Sequence, residues 1–152
     1  MRLFTVVLIC VSFIGLAITG NCAREAFRDD FTALNAWTSN CPDSPVATQT
    51  PVEDYPNGME WNIPAVTPRT FWIQRELPIL IDDAYVVSFW VNVSEPMPFE
   101  VQLSASDGTQ HLYFLFELKN TGWQQLSIPV SDMKNYAGFS ALDLGSRLMI
   151  RF

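Results

Sequence analysis

Basic residues are scarce in this sequence of 152 residues: nine Lys and Arg stand against 16 Asp and Glu, giving a formal net charge of −7. Neutralising a polyanion needs clustered cations, so nucleic acid is excluded as a partner class. Histidine is scarcer still, with His111 the single copy, and the three cysteines form neither a CxxC pair nor a Cys/His cluster. That leaves no zinc site and no disulfide framework. The sequence also lacks a Gly-x-Ser-x-Gly elbow, a His-Glu-x-x-His helix, a P-loop and a Gly-x-Gly-x-x-Gly turn, which removes the common hydrolase, metalloprotease and nucleotide-binding constellations. Glu100 and Glu117 are a candidate carboxylate pair on neighbouring strands. The acid-rich motif of sandwich-type glycosidases, Glu-x-Asp-x-x-Glu, is missing, and a non-catalytic protein is expected. What the chain has in quantity is apolar surface, with 49% hydrophobic and 13% aromatic residues. This length and composition suit one domain with an ample core.

The N-terminus reads as an export signal. Arg2 precedes an apolar run over residues 3–19, with small or polar residues after it, the layout of a positive n-region and an h-region. The expected division is a signal over 1–23 and one folded module over 24–152, secreted or held at the cell surface. Two alternatives keep a membrane link. The apolar run approaches the length of an uncleaved anchor, and Cys22, after Thr19-Gly20-Asn21, is a candidate lipid-bearing cysteine despite an imperfect match. Cys41 is then an incidental loop thiol, or bridges to Cys22 if that residue is unmodified.

From residue 69 onward, apolar and polar residues alternate over short stretches bounded by Pro, Gly, Asn and Asp, the signature of half-buried strands. Strands are expected at 71–77, 85–93, 99–105, 111–118, 123–130 and 147–152, with one or two shorter ones around Met59-Glu60-Trp61. Turn chemistry separates them at Ser94-Glu95-Pro96-Met97-Pro98, at Ser106-Asp107-Gly108-Thr109 and at Asn120-Thr121-Gly122. A single helical turn is expected near 131–136, capped by Ser131 or Asp132. Short strands at this spacing imply an all-β sandwich.

The residues then carry a resemblance. Asp29-Asp30-Phe31 followed by Trp37, the run Tyr85-Val86-Val87-Ser88-Phe89-Trp90-Val91, the turn Asp107-Gly108, and Gly122-Trp123-Gln124-Gln125-Leu126-Ser127-Ile128-Pro129-Val130-Ser131-Asp132 resemble the jelly-roll carbohydrate-binding modules of the galactose-binding-like superfamily. The likeness runs from about residue 27 to 152. It implies a jelly-roll β-sandwich of two antiparallel sheets and a polysaccharide or other glycan as partner. Scaffold and protein-binding members of the superfamily leave a second reading open. Such modules close with one more strand, often carrying an Asp that helps hold a structural calcium. Here either that strand lies outside the sequence or a sheet edge stays open to a protein partner. Asp29 and Asp30, with Glu25, are the candidate calcium ligands, the plainer alternative being a solvated acidic stretch; no other cofactor is implied.

Alternation assigns faces. Val87, Phe89, Val91 and Val93 share one side of their strand, and Val86, Ser88, Trp90 and Asn92 share the other. The same count sets Phe99, Val101, Leu103, Leu112, Phe114, Phe116, Leu148 and Ile150 inward. If the outward sets converge on one concave sheet, Trp90 and Tyr113 stack on a sugar ring while Gln102, Glu117 and Arg151 bond its hydroxyls. The alternative buries Trp90 under the 41–68 segment. Trp61 and Trp72 are platforms or plugs, and Trp123 packs at a strand corner. Asn92-Val93-Ser94 is a glycosylation sequon in a eukaryotic secretory pathway, and a glycan there would obstruct a platform at Trp90.

Overall fold

The computed structural model describes residues 3–15, 24–40, 46–64, 71–105, 111–135 and 146–151. They form twelve strands: β1 (Leu3–Gly15), β2 (Arg24–Asp29), β3 (Trp37–Ser39), β4 (Val46–Gln49), β5 (Asn57–Pro64), β6 (Trp72–Glu76), β7 (Tyr85–Val93), β8 (Met97–Ser104), β9 (His111–Leu118), β10 (Gly122–Pro129), β11 (Lys134–Asn135) and β12 (Arg147–Arg151). Two 3-10 turns, Leu34–Ala36 and Val130–Asp132, are the helical elements among the described residues. The expected strands from residue 71 onward coincide with β6 to β10 and β12 to within two residues at each end.

The strands make two antiparallel six-stranded sheets. The first runs β10-β7-β1-β5-β4, with β2 also paired to β1; the second runs β11-β9-β8-β12-β6-β3. The connections from β7 to β8 and from β9 to β10 cross between sheets, whereas β8 and β9 pair directly. Gly122 opens β10 with a φ of +88°, a left-handed conformation that costs glycine nothing and a branched side chain much.

The core lies between the sheets, and period two decides what enters it. Val87, Phe89, Val91 and Val93 of the first sheet are buried, as are Phe99, Val101, Leu103, Leu112, Leu148 and Ile150 of the second. Phe89 meets Phe99 and Phe116 across the gap, at centroid distances of 5.3 and 5.8 Å. Trp61, 1% exposed, fills the core from β5 and is a plug rather than a platform. Facing away from the core on the first sheet, Ser127 donates its hydroxyl to Ser88 Oγ at 3.0 Å.

One sequence expectation is corrected. The turn expected at 131–136 is a 3-10 turn over Val130–Asp132 that follows Pro129 without a side-chain cap, and the chain then extends into β11. Residues 3–15 of the expected leader form β1, which pairs with β7 on one side and with β2 and β5 on the other. Residues 16–23, with Cys22, and the expected loop features at Cys41 and 106–109 lie outside the described residues. Among the described residues no helix is long and apolar enough to cross a membrane.

Candidate functional site

The five residues expected to converge on a sugar do not share a sheet. Trp90 projects from β7 on the outer side of the first sheet, opposite Gln125 of β10. Gln102, Tyr113, Glu117 and Arg151 lie on β8, β9, β9 and β12 of the second sheet. The parity assigned to Trp90 was right and its sheet was wrong, because alternation fixes the side of a strand and says nothing of its neighbours.

On the second sheet the register aligns the polar positions. Tyr113 of β9 is opposite Gln102 of β8, Gln102 opposite Met149 of β12, Met149 opposite Gln74 of β6, and Gln74 opposite Thr38 of β3. Lys134 of β11 extends the row beyond Tyr113. With strands about 4.8 Å apart, Tyr113 and Gln74 stand roughly 14 Å from each other. A parallel row holds Leu115, Glu100, Arg151 and Trp72 in register. Glu117, opposite Pro98, stands at the rim.

The floor of this face is recessed. Gln102 and Ser104 point away from the core, yet they are only 7% and 5% exposed. Neighbouring side chains therefore rise above them, and the sheet forms a shallow trough. Trp72 and Tyr113, both half-buried, stand toward its two sides. Arg151 donates from Nη1 to Glu100 Oε1 at 3.0 Å, which fixes one edge of the guanidinium and leaves its fork held in place over the face. Arg147 likewise donates from Nε to Glu76 at 2.6 Å. Glu100 is thus an ion-pair partner, and the carboxylate pair considered for glycosidase chemistry is not one of two unattached acids. Trp72, left open by the sequence as a platform or a plug, lies on this face, and its neighbour Arg151 is set by the pairing of β6 with β12, which the sequence alone does not show.

The outer side of the first sheet carries a second aromatic pair. Trp123 of β10 is opposite Asn92 of β7, two positions from Trp90, so the indoles are diagonal neighbours on one face. Trp123, near the start of β10, is half-buried on this face. The Asn92 sequon also lies here, on the far side of the molecule from the trough. An open groove of about 480 Å³ beside Phe31, Leu34 and Thr48 holds none of the expected residues and no titratable side chain.

Two of the expected calcium ligands, Asp29 and Asp30, have other partners. Asp29 is 4% exposed; its Oδ1 accepts the Phe31 N–H at 2.9 Å, and its Oδ2 accepts Trp37 Nε1 at 2.7 Å and the Arg75 guanidinium. A carboxylate already bonded to a cation and two neutral donors does not fit a calcium site. Among the described residues no three acidic, His or Cys side chains gather to hold a metal. Because Asp29 ends β2 in the first sheet while Arg75 and Trp37 belong to the second, this cluster joins the two layers. It also fixes Phe31 at φ 57°, a conformation uncommon for a bulky residue, with its ring tilted against Trp37 at 5.5 Å.

Asp30 makes a smaller turn. Thr32 donates its hydroxyl at 2.8 Å and its N–H at 3.2 Å to Asp30 Oδ1, and these bonds, the hydroxyl first, hold the carboxyl below its ordinary pKa. A depressed folded-state pKa stabilises the protein at pH above the unfolded value, and that contribution is lost as pH falls through the folded value. Thr32→Ala is expected to move the Asp30 titration upward toward the ordinary aspartate range, followed by carboxyl ¹³C chemical shifts. An unchanged midpoint would show that these bonds do not set it.

Compared with known proteins, the chain matches no family model, no curated protein and no solved structure.

Proposed function

We propose that this chain is a non-catalytic glycan-binding module, a jelly-roll sandwich exported to the cell exterior or surface, and that the trough of the second sheet is its binding face. The observation that carries this reading is the recessed row Tyr113–Gln102–Met149–Gln74, with Trp72 and Arg151 in the row beside it. Flat rings give an apolar platform for the C–H face of a pyranose, and fixed amide and guanidinium groups give directional bonds to hydroxyls. Arg151 is already held by Glu100, so little ordering cost falls on it when a ligand arrives. The length of the row suits a short run of sugars better than a single ring. Its charge is locally balanced, because Arg151 and Arg147 are each paired with a glutamate, and a neutral or weakly charged glycan follows.

The test is affinity electrophoresis against a panel of soluble polysaccharides with the wild type, Trp72→Ala and Trp90→Ala. At least one polysaccharide is expected to retard the wild type. Trp72→Ala should weaken that retardation by about 1–3 kcal/mol, roughly fivefold to 150-fold, and Trp90→Ala should leave it unchanged. Equal retardation of the Trp72 variant would remove the trough from the site. Failure of every polysaccharide to retard the wild type would favour the scaffold or protein-binding reading.

A further inference from the structure

The first sheet is held together by one strand. β10 pairs with β7, and β4 pairs with β5, but among the described residues no ladder joins β7 to β5 or to β2. β1 alone fills the interval, with Val6 to Gly15 in register along β7, Leu3 to Leu8 along β5 and Val11 to Gly15 along β2. Its positions Val6, Leu8, Val11 and Phe13 stand opposite Val93, Val91, Phe89 and Val87, the four residues that β7 contributes to the core. The same stretch of sequence has the composition of an export leader. A segment with that fate is lost on processing, and its departure leaves a long unpaired edge on β7 and a second edge on β5 and β2. Edges of this kind are templates for another strand.

We infer that the interval between β7 and β5/β2 is a strand-acceptor site. Its occupant in the full chain is Leu3–Gly15. Once that segment is removed, the site takes an extended segment of a second polypeptide, running antiparallel to β7, with apolar residues at the alternate positions that face Val87, Phe89, Val91 and Val93. Main-chain hydrogen bonds on both sides supply affinity, and the apolar alternation supplies selectivity, because a shift of one residue would turn every core position outward. Specificity for the opposite, outward positions is low: they face Ser88, Trp90 and Asn92, which tolerate polar partners.

The experiment uses the full chain with a protease site inserted in the 16–23 connection, so that the domain folds with its own β1 before the connection is cut. The probe is a labelled synthetic peptide of the Leu3–Gly15 sequence with a C-terminal lysine tag. The cut protein is expected to exchange its first strand for the peptide at one per chain, and the uncut chain is expected to incorporate at least tenfold less. Hydrogen exchange should show β7 and β5 amides protected with peptide bound and exposed when the cut segment is stripped away. A peptide carrying Val7→Lys and Ser12→Lys should compete, and one carrying Leu8→Lys and Val11→Lys should not. Equal incorporation by cut and uncut protein, equal competition by both peptides, or full protection of β7 after the segment is stripped would each overturn the inference.

Discussion

Asp29→Ala is expected to be the most damaging single substitution in the protein, lowering stability by about 3–5 kcal/mol, the usual cost of leaving one member of a buried ion pair without its partner. The reason is local and complete. Asp29 is the shared acceptor for the Arg75 guanidinium, the Trp37 indole N–H and the Phe31 amide. Removing the carboxylate leaves the part-buried Arg75 guanidinium without its counter-charge, and releases the left-handed turn at Phe31. For a domain of this size the midpoint of thermal unfolding should fall by roughly 10 °C or more. A double-mutant cycle separates the pair from its surroundings: Arg75→Met in the Asp29→Ala background should recover part of the loss, because it removes the orphaned charge. Arg75 also lies 5.1 Å over the Phe27 ring, so recovery is expected to be incomplete. A loss below about 1 kcal/mol for Asp29→Ala, typical of an exposed pair, would show that the layers are not joined through this cluster.

Phe89→Ala should come second, at about 3–5 kcal/mol, the range for deleting a buried phenyl ring. Phe89 is 2% exposed and touches Phe99 in a tilted arrangement and Phe116 edge-on at 89°. Phe116 in turn packs on Phe114 at 4.7 Å. The ring is the first sheet's contribution to an aromatic cluster otherwise built from β8 and β9, and its loss leaves a cavity that two sheets cannot close without sliding. Phe89→Leu keeps most of the apolar volume and should cost much less. Urea unfolding checks both: the midpoint should shift with the m-value unchanged. Equal losses for the two variants would mean that volume at this position is not what holds the sheets in contact.

Strand parity was legible in the sequence because it depends on neighbours one and two residues away. Val87, Phe89, Val91 and Val93 alternate with Ser88, Trp90 and Asn92, and burial follows that alternation except at Ser88, which faces outward and is buried as well. Sheet membership was not legible, since the link from β8 to β9 joins strands of one sheet while the link from β9 to β10 changes sheet, and both are short and polar. Trp90 was separated from Tyr113 for that reason alone. Asp29 was read as a surface acid or a calcium ligand because its partner Arg75 lies 46 residues away, and a buried charge pair at that separation leaves no local pattern. Residues 3–15 satisfy two physical descriptions at once: an uninterrupted apolar run suits a leader, and it equally suits a strand paired on both sides.

The trough draws its floor from segments that are far apart in the chain, near positions 74, 102, 113 and 149. β12 sits between β8 and β6 and is the piece that closes the surface. A polypeptide emerging from the ribosome therefore carries Trp72 and Tyr113 long before they share one sheet. If the trough binds glycan as proposed, recognition requires Arg147–Arg151 to have docked between β8 and β6, and retention on a glycan column would then select molecules whose folding has run to its end.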